Sequence, residues 1–296
     1  MSPNRTAAAM KRPSPLVAAT ALALPMALAG CWGRGIEYEG GQPQDTSPPD
    51  TSECGEDLDL TAGINIRGTA VDLLTGLPIT LADTGGTALC VAAIDPAPAV
   101  TGGDPTYLIV STLCEDGSFV LAGMQEVPSI GVMIGVYDCD DQGTVMRTVT
   151  GVATDDFAGM VAGDTLEGVT AQSVSASYLA TMQADLGTTE RDLATEGFLA
   201  GFVTDSAGTA LSGATVTCGS CADRPTYYLD DNAKDGLWGA SGSFNTSTSA
   251  DARGMFFIPA ARITTYTCED GGAHTWDGTL FGSLSEYAVF IEFDAL

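Results

Sequence analysis

Apolar and polar residues alternate along two stretches of the chain that open in the same way. The first runs Ile66-Arg67-Gly68-Thr69-Ala70-Val71-Asp72, turns at Thr75-Gly76, passes Leu77-Pro78-Ile79 and reaches Ala88-Leu89-Cys90-Val91-Ala92. The second runs Leu199-Ala200-Gly201-Phe202-Val203-Thr204-Asp205, turns at Ala207-Gly208, passes Thr209-Ala210-Leu211 and reaches Ala214-Thr215-Val216-Thr217-Cys218. A period of two bounded by Asp and Gly predicts strands joined by tight turns. After a long excursion each copy gives a second shared signal. In the first it is Glu115-Asp116-Gly117-Ser118-Phe119-Val120-Leu121, leading to Val132, Tyr137 and Cys139. In the second it is Asp251-Ala252-Arg253-Gly254-Met255-Phe256-Phe257, leading to Thr264-Thr265-Tyr266-Thr267-Cys268. Gly ahead of an apolar strand suits a hairpin, because it accepts positive φ without steric cost. The chain therefore holds an internal repeat of two β-rich units.

Between the copies the period changes. Val174, Tyr178, Met182 and Leu186 recur every four residues, predicting one helix with Thr170 as its cap and Gly187 at its end. Its apolar face is expected to pack on a sandwich and fix the angle between domains; the alternative is a partner-binding helix.

The paired signals resemble the carboxypeptidase regulatory-like domains, a transthyretin-like group with the pattern G-x-V-x-D, a turn, G-A-x-V, then D-x-x-G-x-F. The second copy carries it in Gly201-Phe202-Val203-Thr204-Asp205 and Gly213-Ala214-Thr215-Val216, and the first lacks the Gly-Ala step. The resemblance implies an all-β fold of two seven-stranded Greek-key β-sandwich domains, at 58–168 and 197–296, joined by a helical connector at 169–196. It further implies binding, spacing or stabilising roles, with no catalytic residues to carry over.

The first thirty residues stand apart. Arg5, Lys11 and Arg12 precede an apolar stretch from Leu16 to Leu28, too short for a stable bilayer-spanning helix. The stretch ends in Leu28-Ala29-Gly30-Cys31, which resembles the lipobox of bacterial lipoproteins. That resemblance implies a signal peptide at 1–30, cleavage before Cys31 and lipid, palmitate included, on Cys31 as the attachment to a membrane. An ordinary secretory signal beside a chance cysteine is the alternative, and either way the product is exported. Residues 31–57 are rich in Gly, Pro, Ser, Thr and acid, as in Ser47-Pro48-Pro49-Asp50, and are expected to form a flexible, disordered tether. Localisation is expected at the outer membrane or cell surface.

Charge narrows the partners. Loss of the three basic signal residues leaves eight Lys and Arg against 38 Asp and Glu, a net charge of −30. Such a surface repels nucleic acid. It suits either cation binding or, more simply, the solubility of an exported protein.

Eight cysteines in an exported chain point to disulfides. Alignment of the copies places Cys90 with Cys218 and Cys139 with Cys268, suggesting Cys90 to Cys139 and Cys218 to Cys268 as equivalent bridges. Cys54 would then join Cys114, and Cys221 would be left over. The competing arrangement is zinc held by Cys218, Cys221, Cys268 and His274. Cys218-Gly219-Ser220-Cys221 also has redox-motif spacing, but it runs into a loop and lacks the helix N-terminus that lowers a thiol pKa.

Other chemistry is poorly represented. The chain has a single histidine, no Gly-x-Ser-x-Gly turn, no His-Glu-x-x-His pair and no phosphate-cradling loop, so no enzyme activity and no cofactor are expected. Asp138, Asp140 and Asp141 before Gly143 could form a weak calcium site, though a solvated acidic turn explains them as well, and no metal is assigned. The excursion 222–250 carries Tyr227, Tyr228, Trp238 and Phe244 among Gly, Ser and Asp, a composition that suits either recognition of a glycan or protein or a lid over the sandwich. The expected function is a lipid-anchored, non-catalytic binding or structural module of the cell envelope. The alternatives are a glycan- or peptide-binding lipoprotein using 222–250, and a metal or redox site at Cys218 and Cys221.

Overall fold

The computed structural model describes residues 58–186, 191–219, 224–229, 247–248 and 253–296. Cys31 and its lipobox, the tether, Cys54, Gly187, Cys221, Trp238 and Phe244 lie outside the described residues.

The fold is all-β, and the repeat is legible strand by strand. The first copy contributes β1 (Ile64–Asp72), β2 (Leu89–Asp95), β3 (Thr106–Thr112), β4 (Ser118–Met124), β5 (Val132–Asp138), β6 (Val145–Val152) and β7 (Thr165–Ser175). The second contributes β8 (Phe198–Thr204), β9 (Thr215–Cys218), β10 (Tyr227–Tyr228), β11 (Met255–Pro259), β12 (Thr264–Glu269), β13 (Thr279–Phe281) and β14 (Tyr287–Asp294). Equivalent strands make equivalent pairs: β1 with β4 and β8 with β11 antiparallel, β1 with β7 and β8 with β14 parallel, β2 with β5 and β9 with β12 antiparallel.

The turns match as well. Asp72 Oδ1 accepts the Thr75 N–H at 2.9 Å, and Gly76 closes the turn onto the Asp72 carbonyl at 2.7 Å. Asp205 Oδ1 accepts the Ala207 and Thr209 N–H groups, each at 2.8 Å, and Gly208 closes onto the Asp205 carbonyl at 2.8 Å. A short bridge follows each turn, Val71 to Pro78 and Thr204 to Ala210. Asp satisfies turn amides that would otherwise lack partners, and Gly supplies the positive φ.

The two copies share a sheet. β6 of the first runs parallel to β14 of the second over Arg147–Thr150 and Tyr287–Phe290, giving a continuous order β10-β11-β8-β14-β6-β5-β2-β3. One face of this long sheet buries Val91, Ala93, Ile134 and Val136 beneath β4-β1-β7, with Ile66, Phe119 and Leu121. Farther along that face Ala200, Phe257 and Phe290 lie with the helix residues Tyr178 and Met182. The opposite face buries Val149, Leu199, Ile258 and Val289 with Val216 and Tyr266 from the three-stranded sheet β13-β12-β9. Each fully buried Phe or Ile in these layers contributes about 1.5–3 kcal/mol.

The helix spans Ala176–Leu186, shorter than the expected span. Thr170 and Val174 belong to β7, because pairing with β1 holds the chain extended through Ser173. Ser175 is the observed cap, its Oγ accepting the Tyr178 N–H at 3.2 Å. Tyr178 and Met182 are buried, so the helix face packs on the sheet as expected. Among the described residues no helix is long and apolar enough to cross a membrane.

Candidate functional site

Cys90 and Cys139 are bridged, with Cα atoms 5.0 Å apart and a sequence separation of 49. The second copy departs from this pattern. Cys218 is disulfide-bonded, but Cys268 is a buried free thiol, so the expected Cys218 to Cys268 bridge is wrong. The reason is local. Cys90 faces Tyr137 across β2 and β5, and Cys139 lies just beyond the end of β5, where the chain turns with the Cys139 N–H on the Ala88 carbonyl at 3.2 Å. Cys218 faces Tyr266 in the same diagonal relation to Cys268, but Cys268 lies inside β12 and keeps strand geometry. Diagonal residues of a regular ladder stand ~7–8 Å apart, beyond comfortable disulfide reach. Burial pushes the Cys268 thiol up to about 12. Cys114 is disulfide-bonded, while its expected partner Cys54 lies outside the described residues.

These facts also bear on the metal and redox alternatives. A sulfur already in a disulfide is no thiolate ligand, which removes Cys218 from the zinc set. His274 Nδ1 lies 2.6 Å from Asp270 Oδ2, and this partner, followed by the His274 and Ala273 amides, lowers the Asp270 pKa. In the acidic turn, Asp138 is buried and its Oδ2 accepts the Thr144 N–H at 2.6 Å, so it caps the β5–β6 turn. Asp141 pairs with Arg147 at 3.1 Å.

The aromatic pair of the excursion divides. Tyr228 is buried, and its hydroxyl accepts the Val216 N–H at 2.7 Å. It is a core residue that satisfies a strand amide, which corrects its reading as a binding residue. Burial pushes its phenol up to about 12. Tyr227 packs against Phe257, ring centroids 5.8 Å apart.

A concavity lies elsewhere, where the cover sheet β4-β1-β7 ends above the long sheet. It is a cleft of about 730 Å³, with Thr150, Phe290 and Glu292 of β6 and β14 on one side and Val169, Thr170 and Gln172 of β7 on the other. Ligand sites commonly have this size. β6 makes the opening by changing partners, pairing with β7 at Val145 and Met146 and with β14 from Arg147 onward. Two side chains of β6 bridge the divergence: Thr148 Oγ1 donates to the Gln172 carbonyl at 2.7 Å, and Thr150 Oγ1 accepts the Gln172 N–H at 2.8 Å. Gln172 is 8% exposed, and its Oε1 is buried without a hydrogen-bond partner.

Arg253 closes one end of the cleft. Its Nη2 donates to the Leu73 carbonyl of the first copy, and its guanidinium carbon lies 5.3 Å over the Phe202 ring of the second. Burial lowers its pKa. Glu292 is shifted upward by desolvation and by the adjacent Asp294 carboxylate. Sequence reasoning missed this cleft, because its residues are scattered over β6, β7, β8 and β14 and only the β6–β14 pairing assembles them.

No family model and no curated protein matches the chain. Among solved structures, the shaft pilin SpaA from Lactobacillus rhamnosus GG aligns over 79% of this chain and 97% of its own, at 11% identity and a TM-score of 0.24. A streptococcal ancillary pilin aligns over 80% and 63%, at 11% identity and a TM-score of 0.21. A 9R-lipoxygenase from Cyanothece PCC8801 aligns over 38% and 17%, at 12% identity and a TM-score of 0.23. Likeness at this level carries no functional argument.

Proposed function

We propose that this chain is a lipid-anchored, non-catalytic module of the bacterial cell envelope, which presents a rigid β-rich body on a tether attached through Cys31. The observation that carries the reading is the pairing of β6 with β14, which makes one sheet of both copies. A body joined by backbone hydrogen bonds and a shared core transmits position better than two domains on a flexible link. The membrane attachment rests on the Leu28-Ala29-Gly30-Cys31 motif. With diacylglycerol and a further acyl chain on Cys31, anchoring is stable.

Intact-mass analysis of the protein extracted from membranes tests this. The expected result is an N-terminal Cys31 carrying lipid, and a Cys31→Ser protein that leaves the membrane fraction. An unmodified Cys31 in a protein cleaved elsewhere would overturn the anchor.

A further inference from the structure

The repeat itself shows what the cleft lacks. β14 is paired on both sides, with β8 on one edge and β6 on the other. Its counterpart β7 is paired with β1 on one edge, while among the described residues its other edge is paired only at Val174 and Ser175. Gln172 is already engaged on that edge, and it fixes which way the neighbouring backbone groups point. Gln172 directs its N–H and C=O away from β1, toward the threonine hydroxyls of β6, and Ser173 directs its carbonyl to Leu73 N–H. Backbone groups alternate in direction along a strand, so Thr170 also turns its N–H and C=O to the cleft. A strand laid beside Thr170 would be the fourth of the cover sheet, resting over Thr150 and Phe290.

We propose that this cleft binds an extended, Lys- or Arg-bearing peptide segment of a partner protein by strand addition to β7. Main-chain pairing to a free edge supplies affinity, and the pockets beneath alternate residues supply selectivity. Charge selects a basic segment. Three acidic residues, Asp156, Glu167 and Glu292, line the cleft against one lining cation, Arg253, which is committed to Leu73 and Phe202; Glu167 is in part balanced by Arg67 at 3.7 Å, which leaves Asp156 and Glu292 without a cationic partner among the described residues. The buried Gln172 Oε1 adds an acceptor awaiting a donor. The assignment deepens the reading as a binding module, but it does not depend on lipid at Cys31.

Fluorescence anisotropy of the full mature chain tests it with three labelled synthetic peptides: one alternating Lys with Val and Thr, one with Glu in place of Lys, and the Lys peptide interrupted by central prolines. The Lys peptide should bind saturably, and both other peptides should bind about tenfold more weakly or not at all. Thr170→Pro removes one edge N–H at a position where a strand tolerates proline, and it should weaken the Lys peptide by a similar factor. Glu292→Gln should weaken it less and flatten its salt dependence. Absence of binding, equal binding of the proline-interrupted peptide, equal competition by free lysine, or unchanged affinity in both variants would each overturn the proposal. If Thr170→Pro does not fold, the proline-interrupted peptide still decides the matter. A failed titration leaves the anchor untouched, and an unacylated Cys31 leaves the cleft untouched.

Discussion

Phe256 lies directly opposite Gly201 across the β8–β11 pair, its ring covering the bare backbone of the glycine. A Cβ on Gly201 would stand 2.9 Å from that ring and 2.3 Å from the Ile291 carbonyl. The first copy repeats the arrangement. Phe119 lies opposite Gly68, and a Cβ there would meet the Phe119 ring at 2.5 Å and the Val169 carbonyl at 2.1 Å. The obstacle in each case includes backbone of the parallel neighbour strand, which cannot rotate aside. Gly201→Ala and Gly68→Ala should each destabilise the protein by about 3 kcal/mol, at the upper end of overpacking costs. Chemical denaturation would read this as a lower midpoint at unchanged slope, and an unshifted midpoint would refute the contact.

That pairing explains why much of the fold is legible in the sequence. Gly at the third position of Leu199-Ala200-Gly201 and Phe two residues after Gly254 are two halves of one contact, so they recur together in both copies. The Asp and Gly of each turn are local chemistry and equally readable. The shared sheet is not readable, because Val149 facing Val289 requires a pairing 140 residues distant that neither strand's pattern specifies. The same holds for Cys268. Its alignment with Cys139 is correct, but whether a cysteine falls inside a strand or one residue past its end decides whether it can bridge.

Tyr228→Phe separates the core reading of this residue from a ligand-binding one. The substitution keeps the ring and removes the acceptor of the buried Val216 N–H. An unsatisfied buried amide costs about 1–3 kcal/mol, so the melting temperature should fall while peptide binding at the cleft stays the same. An unchanged melting temperature would show that Val216 has another acceptor.

The Cys90 to Cys139 bridge closes a loop of 49 residues, and chain entropy alone gives it about 4 kcal/mol of stabilisation in the unfolded-state account. Cys139→Ser should lower the denaturation midpoint by an amount in that range. Reduction of the wild-type protein should reproduce at least this loss, since other bridges open too. A negligible effect would place the stabilisation elsewhere.

Cys268 should behave as a silent thiol. Its sulfur lies in the core beside Val216, and desolvation disfavours the thiolate that alkylating reagents require. Peptide mapping after iodoacetamide treatment should find Cys268 unmodified in the native protein and modified once denaturant is added. Modification under native conditions at the rate of an exposed thiol would contradict its burial.

The last prediction concerns acid. Asp205 has its pKa lowered from 3.8, first by the Thr209 N–H and then by the Ala207 N–H, both of which favour the carboxylate. A folded-state value below the unfolded one gives stabilisation that is present above about pH 4 and lost as pH falls through the folded value. Asn at this position offers the same carbonyl oxygen to both amides without titrating. Wild type should therefore exceed Asp205→Asn in melting temperature at pH 6, and the gap should narrow at pH 3. The remaining 37 acidic residues titrate alike in both proteins, so the relief of self-repulsion on acidification cancels in the difference. A gap independent of pH would mean that the turn is held by its backbone alone, with the side-chain oxygen contributing nothing that protonation removes.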